Sequence, residues 1–193
     1  HDALPIYFAV ATSAHVGEHA IDRELADAIV EHARADGLPI LRVSYGGNDP
    51  TQAELPLDWG TEVPLNFVKA KQVVVVAPAR DRPLADHVRL GAAIARAAGG
   101  RDVALIASAD HGHAHAPDGP YGFHPAAEQY DRRFLELLQV EPLDFRPLVD
   151  LVDDAKADSL WQLLVLQGAI QGHAELLAYA VRSYYGMAVA IVA

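Results

Sequence analysis

Apolar residues along this chain fall into blocks of two kinds. The first kind is a short unbroken run, as expected of buried strands: residues 6–11 (IYFAVA), 103–107 (VALIA) and 188–192, with residues 39–43 (PILRV), interrupted by Arg42, read as a further strand. Residues 73–76 are four valines in succession, which predicts a central parallel strand. The second kind repeats every three or four residues and predicts helices. In residues 23–35, Leu25, Ile29, Val30 and Ala33 form one face, with Asp22 placed as N-cap and Gly37 as the stop. Residues 84–98 form an alanine-rich helix closed by Gly99 and Gly100. Residues 126–138 carry Tyr130, Phe134, Leu137 and Leu138 on one face behind His124-Pro125, with proline in its favoured first position.

Between these blocks the reading is looser. A polar linker with His15, Gly17 and His19 follows the first strand, and residues 78–83 form a loop. Residues 46–58 form an irregular loop ending in LDWGTEVPL, where Gly60 and Pro64 predict a fixed, non-helical turn. Residues 146–156 contain a short acidic helix, and residues 159–170 are more apolar and buried. Gly172, His173, Ala174 and Glu175 introduce a further helix that runs through Tyr184. Strands alternating with helices predict an α/β fold, a single domain with a mostly parallel or mixed central sheet flanked by helices.

Composition narrows the class. A chain of 193 residues, 51% hydrophobic, has enough apolar material for a sizeable core and is not of the disordered type. The longest apolar stretch, around residues 160–170, is interrupted by Gln162, Gln167 and Gly168, so no membrane span is expected. No secretory leader is visible. The absence of cysteine excludes disulfides and thiolate metal sites and fits a cytoplasmic location. A net charge of −11 argues against a nucleic-acid partner, since phosphate contacts need clustered Lys and Arg. The chain opens on His1-Asp2-Ala3 and closes on the apolar run 187–193, which leads us to expect further segments at both ends.

Chemistry concentrates in residues 103–131. The apolar run 103–107 gives way to Asp110, His111, His113 and His115, then to a Gly- and Pro-rich loop with Tyr121. In open α/β sheets ligands bind at the carboxyl ends of strands. Three histidines at period two point the same way if extended and converge if looped; they make either a metal or acid/base site or simply a histidine-rich polar loop. Glu175 lies in an otherwise apolar stretch, GHAELLAYAV. It is either buried with a partner such as a metal or Arg, or it is an exposed glutamate favoured by a helix start. Asp58 and Trp59 carry a weaker signal. No GxGxxG, P-loop, GxSxG or HExxH pattern is present.

Five segments in order resemble class III extradiol ring-cleavage dioxygenases, the family of the catalytic subunit of protocatechuate 4,5-dioxygenase. They are DALPIYFAVA, DWGTEVPL, LIASADHGH, EQYDRRFLELL and GHAELLAYAV. The resemblance implies Fe(II) held by two histidines and one glutamate, with positions open for a catechol-type substrate and O2. It places Glu175 as the carboxylate ligand, with the two histidine ligands expected upstream of His1. It makes His113 the acid/base, and it has the stretch from Thr61 through Pro64 to Leu65 line the pocket. Trp59 stands where the family has the histidine of its DHG motif. Asp58, Trp59, His111, His115 and Tyr121 are further candidates for substrate contact.

The implied reaction inserts both atoms of O2 into an aromatic ring beside the diol. One alternative is a non-enzymatic binding or scaffold protein on the same fold, similar to the Memo family. Another is a zinc hydrolase using Asp110 with His111 to His115. The resemblance also implies a homo-oligomer, and a small partner subunit covering the active site in some members.

Overall fold

The computed structural model describes residues 4–7, 19–43 and 57–193. Helix α1 (Arg23–Ala35) forms as the pattern dictates. The Asp22 carboxylate accepts the Leu25 N–H at 2.9 Å, and Leu25, Ala26, Ile29, Val30 and Ala33 are buried. Gly37, at φ +74°, ends the helix in the left-handed region that glycine enters freely. Strand β1 (Leu4–Tyr7) runs parallel to β3 (Ile40–Val43) and antiparallel to β5 (Val75–Val76), giving the order β3-β1-β5. A second small sheet pairs β2 (Ala20–Ile21) with β4 (Gln72–Val73) in parallel. The valine run is therefore divided between two sheets. Residues 8–11, His15 and Gly17, and residues 46–56 lie outside the described residues.

Two cores meet at helix α6 (Leu160–Ala169), which is apolar nearly all round. Its Val165 joins the core of α1 and α3 (Leu84–Ala98), while Leu160, Leu163 and Leu164 join that of α4 (Pro125–Leu137). α3 and α6 touch through glycine. A Cβ on Gly91 would stand 2.0 Å from the Val165 carbonyl oxygen, and one on Gly168 would stand 1.9 Å from that of Val88. A 3-10 turn (Arg146–Leu151) and α5 (Val152–Ala155) complete the second core, where the acidic helix was expected. Among the described residues no helix is long and apolar enough to cross a membrane. The architecture is mixed α/β, with small sheets among helices.

The structure corrects three expectations. DWGTEVPL is not a non-helical turn but helix α2 (Trp59–Leu65), capped by Asp58, whose carboxylate accepts the Thr61 N–H at 2.8 Å. Pro64 is tolerated because the carbonyl it cannot serve, that of Gly60, accepts a hydrogen bond from the Ser108 hydroxyl instead. The segment after Gly172 is not a helix. β6 (Ala174–Arg182) turns through Ser183-Tyr184 into β7 (Tyr185–Val192), an antiparallel hairpin with a bulge between Leu176 and Ala178. Ala174, Leu176, Ala188 and Val192 meet the core, so burial follows the period of a strand. Finally, Val103 to Ala107 pairs with no strand among the described residues.

Candidate active site

The histidine run is threaded between the start of β7 and the end of α5. The His111 N–H donates to the Gly186 carbonyl at 2.9 Å and the Gly186 N–H to the Gly112 carbonyl at 3.0 Å, while the His115 N–H reaches the Tyr184 carbonyl at 3.2 Å. The His113 N–H turns elsewhere, to the Ala155 carbonyl at 2.8 Å. The backbone is therefore not a plain extended strand, and the three imidazoles neither align nor converge. Gly112 allows this path, since a Cβ there would lie 2.8 Å from the Cα of Ala127 on α4.

His111 points into the core. Its ring lies 3.9 Å from that of Phe134, centroid to centroid, and its Nδ1 is 2.9 Å from the Ser159 hydroxyl, itself 3.0 Å from the Tyr130 hydroxyl. Burial holds this imidazole neutral, its pKa pushed down to about 4. His115 also turns inward, with Nε2 2.9 Å from a carboxylate oxygen of Asp131. Asp131 is 1% exposed and gathers the surrounding donors: the Gly112 N–H at 2.7 Å and the Tyr179 hydroxyl at 2.7 Å, besides His115. Burial above all, and then the hydrogen bond to this carboxylate and its charge, push the Tyr179 phenol pKa up. Neither His111 nor His115 is among the residues that line the cleft beside His113. They fasten the loop.

His113 alone of the three opens to a cleft. Its Nδ1 lies 2.8 Å from the Lys156 carbonyl oxygen, which can only accept, so Nδ1 carries the proton and Nε2 is the working nitrogen. Nε2 stands 3.3 Å from the Asp110 carboxylate. The hydrogen bond to Asp110 raises the His113 pKa above the ordinary imidazole value, against the opposing effect of burial. Tyr121, Tyr184 and Tyr185 surround the ring with centroids 5.5, 6.0 and 6.0 Å away.

The cleft encloses about 370 Å³ and is lined by His113, Tyr121, Lys156, Asp158, Arg80 and Trp161, among others. Arg80 is ion-paired with Asp158 and sits 4.7 Å from the centroid of Trp161, whose indole N–H donates to the Arg80 carbonyl at 3.1 Å. One wall is thus aromatic and fixed, suited to a flat ring.

Of the candidate residues, His113 and Tyr121 come together here. Asp58, Trp59, Thr61 and Pro64 sit on α2, tied to the approach to Asp110 by Ser108 but not lining this cleft. Trp59 is 74% exposed. Glu175 is exposed on β6, opposite Ile191. At about 3.3 Å per residue, β6 runs about 23 Å from Glu175 to Arg182, where the hairpin turns. His113 packs against Tyr184 and Tyr185 at the turn end of the hairpin, and Glu175 stands towards its other end. Among the described residues no group of three His, Cys, Asp or Glu side chains stands close enough to hold a metal ion. These residues by themselves do not fit the two-histidine, one-carboxylate iron site. Arg80, Lys156 and Trp161 carried no local signal, for they reach the cleft only through the packing of α5 and α6 and the loop before α3.

The chain is 28% identical over 173 residues to Protein CA_C1420 of Clostridium acetobutylicum, an alignment covering 84% of this chain and 37% of that protein. The chain thus spans little more than a third of the length of that relative. A crystal structure of the uncharacterized protein JW3007 from Escherichia coli K12 has the same fold, with a TM-score of 0.63 at 16% identity over 98% of this chain and 80% of that one. Residues 9–193 match the family described as the catalytic LigB subunit of aromatic ring-opening dioxygenase, and with nearly its whole length matched the chain belongs to that family of dioxygenase-type enzymes.

Proposed function

We propose that this chain forms the catalytic part of an Fe(II)-dependent extradiol dioxygenase, opening a catechol-type ring with both atoms of O2 incorporated. The observation that carries the proposal is the His113–Asp110 pair at the rim of an aromatic-walled cleft. Ring opening requires a diol proton to be taken up and a proton to be returned as the O–O bond breaks. His113 suits both steps. Its Nδ1–H is held by the Lys156 carbonyl, which fixes one tautomer and leaves Nε2 facing the Asp110 carboxylate at the edge of the cleft. The Asp110 carboxylate stabilises the imidazolium formed after the first transfer, keeping the proton at hand for the second. Trp161, with Arg80 over its ring, and Tyr121 supply the aromatic part of the cleft lining against which a flat ring could pack. Fe(II) enters from the family resemblance, and because the described residues do not gather its ligands, no step above passes through the metal.

The test is anaerobic reconstitution of the full-length protein with Fe(II), followed by addition of a panel of catechols. Oxygen uptake in equal amount to a yellow ring-opened product is the expected result. Neither uptake nor colour with any catechol, in protein that retains iron, would overturn the proposal in favour of a binding protein on this fold.

A further inference from the structure

His87, in the first turn of α3, is 0% exposed and takes no part in the chemistry above. Its Nδ1 lies 3.1 Å from the Pro83 carbonyl oxygen and its Nε2 lies 3.0 Å from that of Ala79. A carbonyl oxygen only accepts, so each contact asks the ring for an N–H. An imidazolium has two and a neutral imidazole has one. Burial lowers the His87 pKa, so the neutral ring is the form present at neutral pH. Its single N–H belongs on Nε2. That contact is the shorter, and the Pro83 carbonyl already takes the Asp86 N–H at 2.9 Å, whereas the Ala79 carbonyl has only a longer bond, from the Arg82 N–H at 3.2 Å. The Nε2–H bond therefore reaches eight residues back along the chain and ties α3 to the start of the turn 79–83.

Arg80 stands on that turn. Its carbonyl accepts the Trp161 indole N–H at 3.1 Å, its guanidinium lies 4.7 Å from the centroid of the Trp161 ring, and it is ion-paired with Asp158. All three residues line the cleft beside His113. The Arg80 side chain is 59% exposed, so packing does not hold it, and its place over Trp161 depends on the backbone beneath it. We propose that His87 is a positioning residue for the aromatic wall of the cleft: its Nε2–H bond to the Ala79 carbonyl fixes the 79–83 turn and so keeps Arg80 on Trp161. The wall holds the ring of a substrate while His113 handles the proton. Loss of the His87 bond is then expected to weaken substrate binding and to spare the chemical step. This consequence for substrate rests on the catalytic proposal, whereas the effect on Trp161 does not.

Trp161 reports on its own wall. The chain has two tryptophans, and Trp59 is 74% exposed on α2, outside the cleft, so in a Trp59→Phe background Trp161 fluoresces alone. Glutamine extends an amide N–H to about the place of Nε2, and asparagine to about the place of Nδ1. In that background His87→Asn should shift Trp161 emission to the red and make it about twofold more accessible to acrylamide, as an indole gains water when its partner is released. His87→Gln should recover both readings. Arg80→Ala should match His87→Asn, and the two together should add nothing to either, since both act through one contact. With the best catechol, KM should rise about tenfold in His87→Asn with kcat within about twofold, and His87→Gln should recover it. Trp161 unchanged in a folded His87→Asn, a His87→Gln as impaired as His87→Asn, or additive effects of His87→Asn and Arg80→Ala would each overturn the proposal. Imidazole 15N shifts of the parent protein, with the His87 signal identified by its loss in His87→Gln, need no folded asparagine variant. Protonation at Nε2 is expected, and protonation at Nδ1 overturns the proposal. If no catechol is turned over, the catalytic reading fails and the fluorescence and 15N shifts still decide the role of His87.

Discussion

Acidification from about pH 7.5 to about pH 5 is expected to cost this protein about 2 kcal/mol of stability through His111 alone, and about 3 kcal/mol by about pH 4. The sign follows from the direction of the shift. The folded-state pKa is pushed down to about 4 from the ordinary 6.5. Between these values the unfolded chain binds a proton that the folded chain refuses, so stability falls as pH falls through that window. The size follows from about 1.4 kcal/mol per pKa unit at a site 4% exposed, where solvent screening is slight. Carboxylates and other histidines titrate in the same range, so the quantity to measure is a difference between two proteins. His111→Phe removes the titration, keeps a ring against Phe134, and leaves Ser159 and Tyr130 bonded to each other at 3.0 Å. Urea unfolding of both proteins at several pH values gives the two stability curves. The wild-type curve should drop more steeply than that of His111→Phe, the gap reaching about 2 kcal/mol near pH 5. Parallel curves would refute the buried, neutral His111.

Three further outcomes are expected. Asp131→Ala leaves His115, Tyr179 and the Gly112 N–H without their shared acceptor, and should cost about 3 to 5 kcal/mol in urea unfolding. Gly168→Ala drives a methyl group into the Val88 carbonyl and should destabilise by about 1 to 3 kcal/mol or more, read as a lowered Tm. Glu175→Ala should leave ring opening within about twofold of wild type, since Glu175 lies on an exposed strand far from the His113 cleft; loss of iron retention in that variant would return it to the ligand role the resemblance implies.

Helices with one clean apolar stripe were legible from sequence. Asp22 and Gly37 bound α1, and residues 84–98 are helical as the pattern predicts, because capping and burial act locally and agree. The hairpin was not legible. Ala, Leu and Glu in 174–178 favour a helix, and only pairing with β7 and inward burial of alternate residues overrule that preference. Helix α2 was hidden for a similar reason, since Pro64 reads as a breaker until Ser108 is seen to satisfy the Gly60 carbonyl. In the site, His113 and Tyr121 are near neighbours in sequence, and both line the same cleft. The different fates of His111 and His115 were not legible, because Asp131 and Ser159, which claim them, lie on α4 and beside α6. Arg80 and Trp161 enter the cleft from segments with no local mark of function.

The account turns on His113. Its most direct test compares wild type and His113→Ala, both reconstituted with Fe(II) and shown to hold equal iron, in single-turnover ring opening of the best catechol. The account predicts intact folding and iron content with turnover slowed by about two to four orders of magnitude. Turnover unchanged in His113→Ala would contradict it and remove this histidine from the chemistry.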